Sequence, residues 1–265
     1  MDDVLVRLVA ILDQHDRLAI AVSGGVDSMT LAHVAWRHAR ARATMYHATG
    51  PAVPVAARER VEAHAAWHGW PLVLIDAGEQ ADERYRANPV DRCYFCKSNL
   101  YARIAGMTTE TIASGTNCDD LHDFRPGLRA AGEHHVVHPY VEAGIAKAHV
   151  YALAASLGLD DLERLPAQPC LASRVETGIP ITAADLAFID AVETRLAARI
   201  GRDAVLRCRV THEGIVIEVG ATDDAQCREH AAAIGRDACI AAGRTFAGVR
   251  AYARGAAFLH RVPHG

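Results

Sequence analysis

The stretch Leu18-Ala19-Ile20-Ala21-Val22-Ser23-Gly24-Gly25-Val26-Asp27-Ser28 decides how the rest of the chain is interpreted. Its first five residues are all apolar, as expected of a strand buried on both faces of a parallel sheet. Two glycines follow within three residues, and a helix is predicted from Ser28. Backbone amides and the helix dipole attract phosphate oxygens at such a junction. The stretch therefore predicts a phosphate-binding loop.

The loop differs from the two commonest nucleotide-binding motifs. It has neither Gly-Lys-Ser/Thr nor Gly-x-Gly-x-x-Gly, so an ordinary nucleoside triphosphatase or a dinucleotide oxidoreductase is not indicated. The hydroxyls of Ser23 and Ser28 can donate to phosphate, and Asp27 is suited to Mg²⁺. The alternative is a glycine turn that opens a helix and binds nothing. The strand–loop–helix context favours phosphate binding.

Apolar strands and amphipathic helices alternate through the first 160 residues, which predicts an α/β fold with a doubly wound parallel sheet. Two prolines between Leu165 and Pro169 interrupt the alternation. We therefore expect a main domain over 1–168 and a smaller α+β domain over 169–265. Predicted strands lie at 18–22, 44–48, 72–76, 111–114, 136–139, 205–210, 214–219 and 246–252. Predicted helices lie at 4–12, 28–41, 54–68, 94–105, 146–157, 182–200 and 223–235.

Composition limits the classes of function. A net charge of -4 over 265 residues gives no basic field for nucleic acid, so a small anionic substrate fits more easily. The acidic start Met1-Asp2-Asp3 and the lack of an apolar run of about 20 residues predict a cytoplasmic protein without a membrane span. Seven cysteines, an odd number, argue against a disulfide framework. Some of them are therefore candidates for reactive or metal-binding thiols.

Three of these cysteines lie in segments suited to chemistry. Cys93 and Cys96 open a predicted helix together with Lys97, and both the cation and the helix end favour thiolates. Cys170 precedes Arg174 in a loop near the predicted domain boundary, and this guanidinium also favours a thiolate. Each cysteine has a simpler interpretation, because a Cys-x-x-Cys pair can be a zinc half-site or inert, and a lone cysteine is often a small buried apolar residue.

Polar residues follow the predicted fourth strand, where doubly wound sheets bind ligands. Gly115 begins this segment, and Asp119 and Asp120 are placed to bind Mg²⁺ or a ligand, although acidic residues also cap helices. In the predicted second domain, Arg207 and Arg209 alternate along one strand and share a face suited to a phosphate. Two solvated surface arginines are the alternative.

The loop resembles that of the PP-loop ATP pyrophosphatases, whose Ser-Gly-Gly-x-Asp-Ser sequence holds the pyrophosphate of ATP. The resemblance implies that ATP is cleaved to AMP and pyrophosphate to activate a substrate oxygen. It also places adenine at the end of the second strand, His47–Gly50, and so adds Thr49 to the nucleotide site. We expect ATP and Mg²⁺ to be held by Ser23, Gly24, Gly25, Asp27, Ser28, Thr49, Gly115, Asp119 and Asp120.

Within that superfamily the chain resembles the LarE family over about residues 15–210. The matching segments are Arg92–Lys97, Gly115–Asp120, Asp123–Gly127, Glu142–Lys147 and Pro169–Arg174. The resemblance implies an ATP-dependent sulfur transferase that adenylates a carboxylate of a pyridinium mononucleotide and converts it to a thiocarboxylate for the nickel-pincer cofactor of lactate racemase. It further implies a homo-oligomer. Residues 252–265 depart from the family's C-terminal pattern.

LarE similarity also assigns roles to individual residues. Cys170 is implied to give up its own sulfur or, with Cys93 and Cys96, to hold a [4Fe-4S] cluster that carries an extra sulfide. We expect Cys170, Lys97, Asp27 and Arg174 to be catalytic. The substrate phosphate is assigned to Arg207 and Arg209, with Glu193 on the preceding helix.

Three other functions remain open from the sequence. The same adenylation chemistry serves tRNA thiolation, although the acidic net charge counts against it. It also serves an amide-forming synthetase, which needs no cysteine. A regulatory module that binds ATP without turnover is the non-enzymatic alternative.

Overall fold

The computed structural model describes residues 2–167, 169–201, 204–220 and 225–253. The chain forms two compact units, one of residues 1–82 and 91–168 and the other of residues 83–90 and 169–265. The short segment 83–90 thus belongs to the second unit although it lies within the sequence of the first. Of the segment 252–265, which departs from the LarE pattern, residues 254–265 lie outside the described residues.

The first unit alternates strands and helices along the chain. Its strands are β1 (Arg17–Ala21), β2 (Arg42–Ala48), β3 (Leu72–Ile75) and β4 (Thr111–Ser114). Its helices are α1 (Asp2–Leu12), α2 (Val26–His38), α3 (Val55–His68), α5 (Arg92–Ala105), α6 (Gly127–Glu133), α7 (Pro139–Glu142) and α8 (Lys147–Ser156). Short 3-10 turns lie at Glu79–Ala81 and Cys118–His122.

The four strands form one parallel sheet in the order β3-β2-β1-β4. Successive side chains of β1 point to opposite faces: Leu18 and Ile20 join one apolar cluster, and Ala19 and Ala21 join another. Burial on both faces explains the unbroken apolar run of this strand. The predicted α/β fold with a doubly wound parallel sheet is confirmed.

Several local predictions for this unit differ from the structure: β2 and α5 begin two residues earlier than predicted, and helices α6 and α7 were not predicted. The expected strand at 136–139 is reduced to one bridge between Ala113 and Val137, because helix α7 begins at Pro139. Helix α2 begins at Val26, two residues before the predicted start, so Asp27 lies in its first turn. The acidic group therefore lies at the positive end of the helix dipole.

The second unit contains a three-stranded sheet and two long helices. Its strands are β5 (Leu206–Thr211), β6 (Gly214–Val219) and β7 (Phe246–Ala251), and its helices are α4 (Glu83–Arg86), α9 (Ala183–Ile200) and α10 (Ala225–Ala242). A 3-10 turn lies at Leu171–Arg174. Strand β6 pairs antiparallel with β5 and parallel with β7, which gives a small mixed α+β unit as predicted. Within the described ranges, no helix is both long and apolar enough to span a membrane.

Helices α2 and α3 bring several histidines together on the first unit. His33 is 7% exposed, and its ring centroid lies 4.7 Å from that of His68, which in turn lies 5.4 Å from that of His64. Burial, together with the nearby charges of His68, His38, His64 and Arg37, lowers the pKa of His33 to about 4. The cluster is therefore packed with a neutral His33 at its centre.

Acid is expected to destabilise this cluster. His33 binds a proton near pH 6.5 in the unfolded chain but only near pH 4 in the folded one, so stability is lost as pH falls through this range. We expect His33 to lower the free energy of unfolding by about 2 kcal/mol between pH 7 and pH 5. Urea titrations at both pH values would show a smaller pH dependence in His33→Phe. The exposed His122→Gln should behave as wild type, and equal pH dependence in all three proteins would contradict the prediction.

Candidate active site

The phosphate-loop residues are held by hydrogen bonds among themselves. The Oγ of Ser28 accepts a hydrogen bond from the backbone N–H of Ser23 at 3.0 Å and lies 3.0 Å from the Oγ of Ser23. Gly25 caps helix α2 without a side-chain partner for the first amides. A strand end, a short loop and the first turn of a helix thus meet at one point, and free amides of a helix N-terminus bind anions.

Two glycines allow the chain to pack closely at this loop. Gly24 has a φ of +81°, and a Cβ placed there would lie 2.6 Å from the carbonyl oxygen of Ala57. Gly115 follows β4, and a Cβ there would lie 2.7 Å from the backbone nitrogen of Ser28. Both positions therefore exclude larger residues. Gly115, expected among the nucleotide-binding residues, lies directly against the loop.

Asp27 has a protein partner on each carboxylate oxygen. The Nζ of Lys147 lies 2.5 Å from Oδ2, and the Nδ2 of Asn117 donates to Oδ1 at 3.1 Å. The hydroxyl of Tyr140 donates to the backbone oxygen of Asp27 at 3.0 Å, and complete burial raises the pKa of Tyr140 well above its usual value. The segment after β4, helix α7 and the starts of α2 and α8 are thereby joined around Asp27.

Asp119 and Asp120 occupy different surroundings within one 3-10 turn. Asp119 is exposed and accepts a hydrogen bond at 3.0 Å from the backbone N–H of Lys147, the first residue of α8. Asp120 is buried, accepts from the backbone N–H of Asn117 and lies 2.6 Å from an Arg125 nitrogen. Burial raises the pKa of Asp120, whereas Arg125 opposes the shift. Both aspartates therefore have structural partners as well as oxygens of the type that Mg²⁺ prefers.

The remaining predicted residues of the first unit lie just after β2 and in α5. The backbone N–H of Thr49 donates to the carbonyl of Ile75 at 2.9 Å, which holds the end of β2 beside β3. The Nζ of Lys97 lies 5.7 Å from the ring centroid of Tyr101. Cys93 and Cys96 are half-buried cysteines at the start of α5. Among the residues that the structure describes, no three His, Cys, Asp or Glu are arranged to hold a metal ion.

In the second unit, Arg174 holds the turn that follows Cys170. Its Nε and Nη2 each donate to one oxygen of Glu193 at 2.9 Å. Its Nη1 lies 2.5 Å from the carbonyl oxygen of Pro169 and 3.2 Å from that of Cys170. Glu193 also accepts from the backbone N–H of Cys208, in β5. Arg174 and Glu193 thus form one buried clamp that fixes the backbone around Cys170.

Removing Arg174 is expected to destabilise the second unit strongly. Arg174→Ala leaves the mostly buried Glu193 carboxylate without its counter-charge, which costs about 3 kcal/mol in the free energy of unfolding. Denaturant titration would measure the loss. Arg164→Ala is the matched control, because Arg164 is exposed and pairs with Glu163 at the surface. Equal small losses in both variants would exclude a buried clamp.

Arg207 and Arg209 lie on the same face of the small sheet and are buried rather than solvated. Glu218 of β6 is fully buried on this face, and its Oε2 lies 2.5 Å from the Nε of Arg209. Arg250 of β7 binds the other oxygen of Glu218 at 3.0 Å. Burial lowers the pKa of Arg207, and the neighbouring Arg174 adds to the effect. Three arginines and one glutamate leave an excess of positive charge there, as an anion site requires.

Sequence reasoning left several of these residues without a role. Lys147, Asn117 and Tyr140 all contact Asp27, and Glu218 and Arg250 complete the arginine cluster. For Lys147 a signal was present in the sequence, because Lys97 and Lys147 are the only lysines among 28 basic residues. The contacts themselves join residues that are far apart in the chain.

Comparison with known proteins identifies the family. No family model matches the chain. It is 38% identical over 194 residues to an uncharacterised protein of Synechocystis sp., covering 72% of both chains. It is 27% identical over 194 residues to the pyridinium-3,5-bisthiocarboxylic acid mononucleotide synthase of Lactiplantibacillus plantarum, covering 71% of this chain and 70% of the synthase. The chain belongs to the PP-loop ATP pyrophosphatases.

A second relative with a named activity also transfers sulfur. The tRNA-cytidine(32) 2-sulfurtransferase of Syntrophotalea carbinolica is 28% identical over 185 residues, which cover 60% of this chain and 68% of that enzyme. This PP-loop protein is therefore similar to enzymes that install sulfur on two different kinds of substrate. The relatives support an ATP-dependent sulfurtransferase.

Proposed function

We propose that the protein adenylates a carboxylate of a pyridinium mononucleotide and replaces one carboxylate oxygen with sulfur. The observation that carries the proposal is the loop Ser23–Ser28, with its free helix amides and with Asp27 in the first turn of α2. The similarity to the pyridinium-3,5-bisthiocarboxylic acid mononucleotide synthase supports the substrate class. The product would be a thiocarboxylate of the kind used in the nickel-pincer cofactor of lactate racemase.

In the activating step, a substrate carboxylate oxygen attacks the α-phosphorus of ATP. The phosphorus–oxygen bond to pyrophosphate breaks, and an acyl-adenylate forms. We assign pyrophosphate binding to the amides of Gly24 and Gly25 and to the hydroxyls of Ser23 and Ser28, because donors fixed before the reaction stabilise the developing charge. Thr49 and Gly115 would border the nucleotide.

The described side chains form no three-ligand metal site, so we propose that Mg²⁺ binds through one or two carboxylates near the loop together with the phosphates of ATP. Asp27 and Asp119 present carboxylates that are at least partly accessible, and the buried Asp120 follows Asp119 in the chain. Mg²⁺ would neutralise the charge on the phosphates and help to orient them. The chain's own part is to hold Asp27 in place through Asn117 and to keep the loop amides aligned.

In the sulfur step, we assign the attacking thiolate to Cys170. Its sulfur attacks the acyl carbon, the bond from carbon to the AMP oxygen breaks, and AMP leaves with the electron pair. Removal of the Cα proton of Cys170 then forms a carbon–carbon double bond, and the Cβ–sulfur electrons go to the sulfur. The substrate leaves as a thiocarboxylate, and the protein retains dehydroalanine. Lys97 is proposed to be a catalytic cation, and Arg207 and Arg209 to hold the substrate phosphate with Glu193 as their support.

A different source of sulfur remains a separate hypothesis. Cys93, Cys96 and Cys170 would supply the three thiolates of a site-differentiated [4Fe-4S] cluster. Iron and sulfide analysis of anaerobically purified protein tests this directly. If both are absent after anaerobic reconstitution, the cluster hypothesis fails. Intact mass after turnover tests the sacrificial route, which predicts the loss of one H₂S per chain.

The central experiment combines the enzyme, ATP, Mg²⁺ and the dicarboxylate mononucleotide and measures the products by mass spectrometry. We expect AMP, pyrophosphate and a substrate in which sulfur replaces oxygen. AMP without a thiocarboxylate would reject the substrate assignment. A second candidate, tRNA thiolation, is favoured by the similarity to the tRNA-cytidine(32) 2-sulfurtransferase. Salt-sensitive tRNA binding and thiolated tRNA would support that candidate instead.

A further inference from the structure

The side chain of Lys147 is bound to Asp27, the carboxylate that we propose to hold a metal ion at the phosphate loop. Its Nζ lies 2.5 Å from the Oδ2 of Asp27, and the Nδ2 of Asn117 lies 3.1 Å from Oδ1. Both oxygens of Asp27 therefore have hydrogen-bond donors. A divalent cation bound to Oδ2 would lie close to the Lys147 ammonium, and the two positive charges would repel each other unless the lysine moved.

Asn117 is fixed in place. It is 1% exposed, and its Oδ1 accepts a hydrogen bond at 3.0 Å from the backbone N–H of Asp119. Its own backbone N–H donates to Asp120. Movement of the Asn117 amide would break a reciprocal cap of the 3-10 turn, and the amide carries no charge that would repel a cation.

Unlike Asn117, Lys147 has a side chain that can move, and it carries a positive charge. Its backbone N–H is held by Asp119, whereas its side chain is 28% exposed and its charge lies at the end of a flexible four-carbon stem. The Nζ lies 5.1 Å from the ring centroid of Tyr151, so an aromatic face lies within reach of a small movement. A cation bound to Asp27 would repel this ammonium at close range.

The presence of a lysine at position 147 also favours a side chain that can leave Asp27. Of 28 Lys and Arg residues, only Lys97 and Lys147 are lysines. An ammonium is a compact point charge that rotates freely, whereas a guanidinium binds a carboxylate through a rigid fork and is harder to displace. The chain thus uses lysine at a position where a reversible ion pair would be needed.

We propose that Lys147 is an internal counter-ion for Asp27 that is displaced when a metal ion binds with the nucleotide. In the nucleotide-free protein the ion pair neutralises Asp27 and keeps the loop assembled. Binding of the metal to the Asp27 carboxylate and movement of the Lys147 side chain away from it occur together. This inference rests on the proposed function, because it assumes that ATP and Mg²⁺ bind at this loop.

Two lysines in the chain make the test direct. Acetic anhydride would label the full-length protein, and mass spectrometry would give the reactivity of Lys147 relative to that of the N-terminal amine. The four samples would contain no ligand, Mg²⁺ alone, α,β-methylene-ATP with EDTA, and α,β-methylene-ATP with Mg²⁺. We expect Lys147 to change its reactivity roughly threefold or more only when metal and nucleotide are both present, because only then does the ion pair break.

Asp27→Asn supplies the reference for a released lysine. In this variant, Lys147 should be reactive without any ligand, and metal should have little further effect. Circular dichroism would show that the variant is folded. Asp123→Asn, which removes a different carboxylate, is the control, and its Lys147 should be labelled to the same extent as in the wild type. An equal change with EDTA and with Mg²⁺ would overturn the inference, and so would no change in either sample.

Calorimetry separates this inference from the proposed function. If α,β-methylene-ATP binds with Mg²⁺ and Lys147 keeps its reactivity, the counter-ion role fails and the proposed function stands. If the nucleotide does not bind under any condition, both are overturned. Stronger Mn²⁺ binding to the nucleotide complex of Lys147→Met than to that of wild type, measured by electron paramagnetic resonance, would add independent support.

Discussion

Cys170→Ala is expected to abolish thiocarboxylate formation while the conversion of ATP to AMP continues. The substitution removes one sulfur atom from a half-buried position and leaves the Arg174–Glu193 clamp around it intact. Adenylation needs the phosphate loop and not this thiol, so the two half-reactions should separate. Quantifying AMP and the sulfur-containing product in the same reaction mixture measures both.

Cys227→Ala is the matched control, because Cys227 is a free cysteine of the same unit, on α10, to which we assign no role in the reaction. It should retain full turnover. If Cys170→Ala also retained turnover, the sulfur-transfer proposal would fail and an amide-forming synthetase would become the better explanation. The folded state of each variant would be compared by thermal unfolding.

Asp27→Asn is expected to reduce AMP formation by about a hundredfold or more, since it removes the charge proposed to hold Mg²⁺ at the loop. The substitution keeps the shape of the side chain but leaves Lys147 without its carboxylate partner. Initial rates of pyrophosphate release at saturating ATP would measure the effect. The rate of adenylation should fall by the same factor whether or not sulfur transfer follows.

Asp123→Asn tests whether the effect belongs to this carboxylate. Asp123 follows the same 3-10 turn as Asp119 and Asp120, and its side chain is 44% exposed near Arg125. We expect this variant to keep nearly the wild-type rate. Comparable losses in both variants would indicate a general electrostatic effect and would remove Asp27 from its proposed role.

The parallel sheet could be predicted because each strand carries its own signal. Residues 18–22 are apolar on both faces, and glycines and helix starts separate this strand from its neighbours along the chain. The strand expected at 136–139 failed because Pro139 begins a helix, so only Val137 pairs with β4. The assignment of residues 83–90 to the second unit also had no local signal. It depends on contacts such as those from the buried Asn88 side chain to the carbonyls of Glu176 and Ile179.

At the phosphate loop, the sequence predicts the local elements but not the contacts with residues far away in the chain. By itself, the sequence determined a strand, two glycines and a helix that begins with an acidic residue, because these depend on neighbours within a few positions. Only the tertiary structure decided that Asp27 is paired with Lys147, which is 120 residues away, and that Glu218 joins Arg209 to Arg250. The physical reason is that ion pairs form between side chains brought together by packing, and spacing along the chain carries no record of that proximity.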